Sequence, residues 1–560
     1  MPNIKHRWHE QCYSLYAMQE NENEKTDVLL ARLLIISAII IGAASCGASD
    51  DDASLGNASG DTPQGPDGDS DMDADSDADS DMDGDSDGDS DTGFPGPDKP
   101  WNEPGDEESY SDTDSGQCDI ESSMTYYLSA DDSNSMASPV LVRSFIRAGQ
   151  LVPRELVRVH EFLNYYGFDY TAPELGDVSI SAEMLENPAI PGEYDLQLAV
   201  RSRDRSNEDR LPLNLTLSVD TSGSMKGDPA LLAREICRTI AGSLRSGDIV
   251  SIVSWDTSQS VLLPTWKVVG PDDSQVLTYC DLLGTIDATG ATDLHAGLIN
   301  AYELVRQYRS RQGINRVVLI SDGRANAGVA DAVMIADEAV DAEGDEIYLA
   351  GVGVGAGTTY YDTLMNVVTD SGKGAYLFVD NAEEAEAAFE ERLISNLDIA
   401  VRNVRVSLTL PPSFEIVAFH GEEHSEIENE VEPQHLAPND AMIYHQTVAS
   451  CDPDFVSEET DTVIVKATYE DPETGQQKSE EVTYTLDEIL AGESLRLVKG
   501  NAIVAYAEAL KSLASLDGQA ATDLIDTVRA KVQAASSAID TDPELDQIDD
   551  LLEQYRLLFE

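Results

Sequence analysis

Basic residues are scarce: lysine and arginine together number 35 against 106 aspartates and glutamates in 560 residues, a formal net charge of −71. A chain so poor in positive charge offers no basic groove for nucleic acid and no patch for anionic lipid. It suits cations, a basic partner, or simply a solvated acidic surface. Histidine is rare as well, at eight residues, and none of the six cysteines forms a CxxC pair, so neither a zinc site nor a dithiol redox centre is indicated. The apolar run Leu33 to Ala44, LLIISAIIIGAA, falls short of the ~20 residues that a membrane span requires. Hydrophobic residues still make up 41% of the chain, enough for buried cores in roughly three or four domains.

That apolar run follows Lys25 and Arg32 and has the length of a secretory leader's hydrophobic region. It ends in Ala43-Ala44-Ser45-Cys46, which resembles the lipobox of bacterial lipoproteins, with Ala43 where leucine is usual. The resemblance implies a leader over 1–46, with Met1 or Met18 as its start, and lipidation of Cys46 as the new N-terminus. Ordinary signal cleavage and an uncleaved anchor are the alternatives. Gly47, in place of an aspartate, points to the outer membrane as the place of the lipid anchor. The mature chain then keeps Cys118, Cys237, Cys280 and Cys451, which allow one or two disulfides of unspecified pairing, or plain buried thiols at Cys237 and Cys280.

From Gly47 to Gln117 the sequence is mostly Asp, Ser, Gly and Pro with few apolar residues, and aspartate stands at every odd position from Asp67 to Asp91. It buries no apolar surface and repels itself, so an extended, disordered stalk is expected over 47–117. DADSD-type repeats offer oxygens to calcium, but no twelfth-position glutamate completes an EF-hand loop. Beyond it, 118–210 reads as a separate segment whose stretch Leu141 to Tyr170 forms two short helices around Pro153. Residues 211–397 then alternate apolar strands with amphipathic helices, the pattern of a doubly wound, mostly parallel α/β sheet. Period-two alternation in RNVRVSLTL and DTVIVKATYE marks a β-rich unit over 398–492, and 493–560 turns helical.

Ligands of such a sheet bind at the carboxyl ends of its strands. Three oxygen-rich stretches sit there: DTSGSM, with Asp220, Ser222 and Ser224; GATD, with Thr292; and LISDG, with Asp322. Two carboxylates and three hydroxyls are hard donors that suit Mg²⁺, Mn²⁺ or Ca²⁺. The constellation closely resembles the von Willebrand factor type A domain and its metal-ion-dependent adhesion site, Asp-x-Ser-x-Ser followed by a distant Thr and a distant Asp. That resemblance implies that Ser222, Ser224 and Thr292 contact the metal directly or nearly so, and that Asp220 and Asp322 act directly or through water. It further implies a non-enzymatic protein that binds a protein ligand through that ligand's acidic side chain, in adhesion or as an assembly scaffold of the envelope. The stretch RSFIRAGQLVPRELVRVHEFLNYYGFDY resembles the von Willebrand-associated N-terminal segment of a bacterial subfamily, in which a C-terminal domain of unknown function follows the type A domain.

The rival readings are weaker. DTSGSM alone would serve as a helix-capping turn. An aspartyl-phosphate phosphatase would use Asp220 as nucleophile, but the acid expected two residues on is Ser222, and Lys226 stands too close in sequence to balance a phosphate. No G-x-S-x-G elbow surrounds either serine. In GVGVGAG, Gly351 to Gly357, the glycines alternate instead of following G-x-G-x-x-G, so packing and a turn are expected instead of a dinucleotide. No catalytic residue and no small-molecule substrate are expected. His295 reads as a helix-surface residue, and Trp255 as either core or rim of the site.

Overall fold

A computed structural model describes residues 122–188, 190–286, 288–324, 346–452 and 455–560. The leader, Cys46, the aspartate-rich stretch and the helix expected over 331–343 lie outside the described residues.

The chain begins with a strand, β1 (Met124–Ser129), and two helices, Ala137–Arg147 and Val159–Tyr165, on either side of Pro153. Strands β2 (Val178–Glu186) and β3 (Glu193–Ser202) follow. The α/β unit then supplies β4 (Leu213–Asp220), β5 (Ile249–Trp255), β6 (Gln259–Lys267), β7 (Ile314–Ser321), β8 (Tyr348–Val354) and β9 (Tyr376–Val379). Last come β10 (Val401–Leu410), β11 (Phe414–Phe419), β12 (Glu423–Ser425), β13 (Gln434–Leu436), β14 (Ala441–Ser450), β15 (Thr462–Glu470) and β16 (Gln477–Thr485), then helices Leu495–Leu513, Gly518–Ala538 and Pro543–Arg556.

The middle sheet has the order β6-β5-β4-β7-β8-β9, parallel throughout except for β6, which pairs antiparallel with β5. Every residue of β4, β7, β8 and β9 is buried, as expected for strands covered on both faces. One face carries helices Asp228–Ser243 and Ser274–Leu283; the other carries Leu294–Gln307 and Asp362–Ser371. Gly351 and Gly353 of β8 allow this close packing. A Cβ at Gly351 would lie 2.0 Å from Thr369 Oγ1, and one at Gly353 would lie 2.4 Å from the Tyr360 ring. The glycine-rich strand therefore serves packing. Trp255 is core: it is 1% exposed and donates its indole N–H to Ser218 Oγ at 3.0 Å. The helix expected over 382–397 is broken into Ala382–Glu386, a π-turn Ala387–Glu391, and Leu393–Leu397.

The sequence-based division needs correction on either side of this sheet. Segments 118–210 and 398–492 are not separate units. β1 inserts between β10 and β12 in a sheet of order β12-β1-β10-β15-β16, with β13 also on β10, while β3 and β2 extend β11-β14 in the order β11-β14-β3-β2. The two sheets share one core, in which Tyr126, Leu196 and Leu198 pack with Val406, Leu408, Val463 and Tyr444. Each strand set has a single apolar face, so neither closes a core alone, and burial drives them together into one sandwich into which the α/β unit is inserted. Likewise, the three C-terminal helices share one core with Val159–Tyr165, in which Phe162 and Leu163 cluster with Tyr506, Leu510, Ile525 and Leu552.

The Ala137–Arg147 helix lies between these bodies. Its Ala137, Val140 and Leu141 enter the α/β core, while Val142, Phe145 and Ile146 face the C-terminal helices. Buried ion pairs fix the contact: Arg143 donates to Asp380 at 2.7 Å and Glu384 at 2.8 Å, and Arg158 pairs with Glu161 and, at 2.7 Å, with Asp362.

Cys237 and Cys280 are not free thiols; they form a disulfide that joins helices Asp228–Ser243 and Ser274–Leu283 across 43 residues. Cys451 is disulfide-bonded as well. In the chain-entropy account, closing a loop of that length stabilises the fold by about 4 kcal/mol. Replacing both Cys237 and Cys280 by serine should therefore lower the unfolding free energy by a few kcal/mol. Denaturant titration of the oxidised wild type against the double variant measures this.

Candidate functional site

The three sequence-predicted stretches meet at the carboxyl edge of the middle sheet. β4 and β7 are direct neighbours, paired in parallel through Val219 and Ile320, so Asp220 and Asp322 emerge side by side. Asp220 ends its strand buried, and its carboxylate does two things at once. Oδ1 accepts the backbone N–H of Ser222 at 2.8 Å, and Oδ2 accepts Ser321 Oγ–H at 2.7 Å. The first bond bends the chain into the 3-10 turn Gly223–Met225 and brings Ser222 Oγ within 3.1 Å of Ser224 Oγ.

The loop that carries Thr292 is tied to this turn. Gly223 N–H donates to Gly290 O at 3.3 Å, and Ala291 N–H donates to Thr257 Oγ1 at 2.9 Å. Gly290 has φ +85°, and a Cβ there would stand 2.7 Å from Thr257 Oγ1, so glycine is required at this approach. Thr292 is buried directly before Asp293, which caps helix Leu294–Gln307 by accepting Ala296 N–H at 3.2 Å. His295 is half-buried on that helix.

Burial governs the charge of the site. It pushes the Asp220 carboxyl up to about 7, against the hydrogen bonds from Ser222 and Ser321. It also raises Asp322, against a hydrogen bond from Ser224 and the nearby Arg324. Oδ1 of Asp322 is buried and accepts no hydrogen bond. Two neighbouring carboxyls deprived of water, one with an orphaned oxygen, beside a pair of hydroxyls with lone pairs to give, fit a hard divalent cation. Asp220, Ser222, Ser224, Thr292 and Asp322 are the residues that would hold it.

Residues 213–378 match the family profile described as the von Willebrand factor type A domain. This stretch, which spans β4 to β9, is similar to a von Willebrand factor type A domain. A second profile, described as von Willebrand factor, matches residues 106–194. Among curated proteins, the chain is 27% identical over 282 residues to the uncharacterized protein YfbK of Escherichia coli, covering 49% of this chain and 48% of that one. It is 21% identical over 234 residues to the uncharacterized protein sll0103 of Synechocystis, covering 42% of this chain and 53% of that one. The chain thus spans about half the length of the curated relatives it matches. Among solved structures, it is similar to a von Willebrand factor type A protein from Catenulispora acidiphila, with 16% identity, a TM-score of 0.42, and coverage of 65% and 87% of the two chains.

A second group of acids escaped the sequence reading. Asp131, Asp370 and Glu422 come from the loop after β1, from helix Asp362–Ser371 and from the turn before β12, and their oxygens lie within 4.8 Å of one another. No spacing in sequence announces a group assembled by the docking of the sandwich on the α/β unit. Crowding by protein raises all three carboxyls although Asp370 and Glu422 keep exposed surface, and nearby acids add repulsion: Glu422 and Asp370 at Asp131, Asp370 and Glu423 at Glu422, Glu432 and Glu423 at Asp370; burial pushes the adjoining Asp132 up to about 7. The folded chain therefore holds protons here that the unfolded chain releases near pH 4. This stability is present at low pH and lost as pH rises through the raised values, up to about neutrality. In chelator, the double variant Asp370→Asn, Glu422→Gln should melt above wild type at pH 8, with the gap shrinking toward pH 5. Thermal melts at both pH values test this.

Proposed function

We propose that this protein is a cell-envelope lipoprotein that binds a protein ligand through a divalent cation, with Mg²⁺ preferred to Mn²⁺ or Ca²⁺ because few, partly neutral ligands leave room for water. Type A domains generally act as protein-interaction scaffolds, and nothing in the site calls for a reaction. The observation that carries the reading is the convergence of buried Asp220 and Asp322, with its orphaned Oδ1, on the Ser222–Ser224 pair at one sheet edge. The cation would be bound by these residues and would complete its shell with a carboxylate from the partner. Cys46 would supply the lipid anchor, in the outer membrane, and the aspartate-rich stretch would hold the head away from the bilayer. An assembly scaffold within the envelope is the second use of the same site. The test is capture of partners from envelope extracts by the full chain, with and without chelator, beside Asp220→Ala. Capture indifferent to both changes overturns the reading.

A further inference from the structure

Arg324 follows Asp322, a residue of the proposed metal site, by two positions. Its Nε lies 3.6 Å from Asp322 Oδ2, close enough for ion pairing and too long for a hydrogen bond, and Nε has no hydrogen-bond acceptor among the described residues. One edge of the guanidinium is held: Nη2 donates to Thr359 O at 2.9 Å. One face lies over the Tyr361 ring, 5.3 Å from its centroid, and Tyr361 is itself 60% exposed. Tyr361 in turn donates its N–H to Asp322 O at 3.3 Å, so the arginine's platform and the metal-site carboxylate share one loop-to-loop contact. The rest of the side chain is open, with 38% of its surface exposed.

We infer that Arg324 competes with the divalent ion for Asp322 and, once the ion is bound, is the second anchor for a ligand segment with two neighbouring carboxylates. This rests on the metal reading of the site. Charge makes the case. A dication between Asp220 and Asp322 is neutralised by them, so an acidic ligand approaching a chain of net charge −71 would meet little attraction from the metal centre alone. Arg324 leaves one positive charge at the rim. Its planar donors match a carboxylate, and its stacking on Tyr361 holds the fork in place. The same charge beside Asp322 repels an incoming cation, so it lowers metal affinity while it raises ligand affinity.

Those opposite signs make the test. The full chain is titrated calorimetrically with Mn²⁺ alone, then, at saturating Mn²⁺, with two capped peptides, one holding a single aspartate and one holding two aspartates two residues apart. Wild type should favour the two-aspartate peptide by about 3-fold or more, the range of an exposed ion pair. Arg324→Gln should bind Mn²⁺ about 3-fold more tightly and lose that preference. Arg324→Lys keeps the charge and should keep the wild-type Mn²⁺ affinity, which separates charge from shape. A preference intact in Arg324→Gln, or unchanged Mn²⁺ affinity there, overturns the inference while leaving the metal site standing. A wild type that binds neither Mn²⁺ nor any peptide overturns the metal reading itself.

Discussion

Asp220→Ala should reduce Mn²⁺ affinity at least ~100-fold and abolish chelator-sensitive ligand capture, while the protein stays folded. In the proposed site the carboxylate would be both donor and organiser. Its Oδ1 holds the Ser222 N–H at 2.8 Å and so sets the turn that pairs Ser222 with Ser224, and its Oδ2 holds Ser321 beside Asp322. Removing it takes one donor from the metal and loosens two others. Stability should move little in chelator. Two hydrogen bonds are lost, but so is a carboxyl that burial has already pushed up to about 7. Paired melts in chelator and calorimetry with Mn²⁺ distinguish the two effects. A variant that retains wild-type Mn²⁺ affinity removes Asp220 from the site.

Asp248→Ala should be the most destabilising single change in the α/β unit. Its carboxylate is 1% exposed and accepts from Arg210 Nη1 at 3.0 Å, Arg210 Nη2 at 2.6 Å, Leu213 N–H at 2.9 Å and Arg245 N–H at 2.7 Å. It closes the amino-terminal edge of the sheet, at the entry to β4 and β5, as Asp220 organises the opposite edge. Truncation leaves the 1%-exposed Arg210 guanidinium without its counter-charge, a loss of about 3–5 kcal/mol and a fall in melting temperature on the order of 10 °C. Adding Arg210→Met to Asp248→Ala should recover much of this, because the uncompensated charge goes with the arginine. If the double variant is no more stable than the single, the buried charge is not the cause.

The α/β unit was legible in the sequence for a physical reason, and so was the edge at which its candidate site lies. Strands buried on both faces read as continuous apolar runs, and chemistry in such a sheet collects just past their ends, which is where Asp220 and Asp322 stand; Thr292, in the loop between two helices, was picked out through the motif it completes. The sandwich was not legible as one body. β1 pairs with β10 as Met124 faces Leu410, and period-two alternation says that a strand has one wet face without saying which distant strand it joins. The Asp131–Asp370–Glu422 group failed for the same reason, since its members meet only through docking. The Cys237–Cys280 bridge was one pairing among several until two helices brought their Cα atoms to 5.4 Å.

The insertion also sets an order of events during synthesis. β1, β2 and β3 leave the ribosome before the α/β unit, yet their partners β10 and β14 come after it. The early strands must wait with their apolar faces and hydrogen-bonding edges exposed until the whole inserted unit has been made. That unit has its own sheet, two helical layers and a disulfide, and can close first, which draws its two ends together and shortens the loop the sandwich must then close. A defect in the folding of the α/β unit would thus surface as aggregation of strands that belong to another sheet.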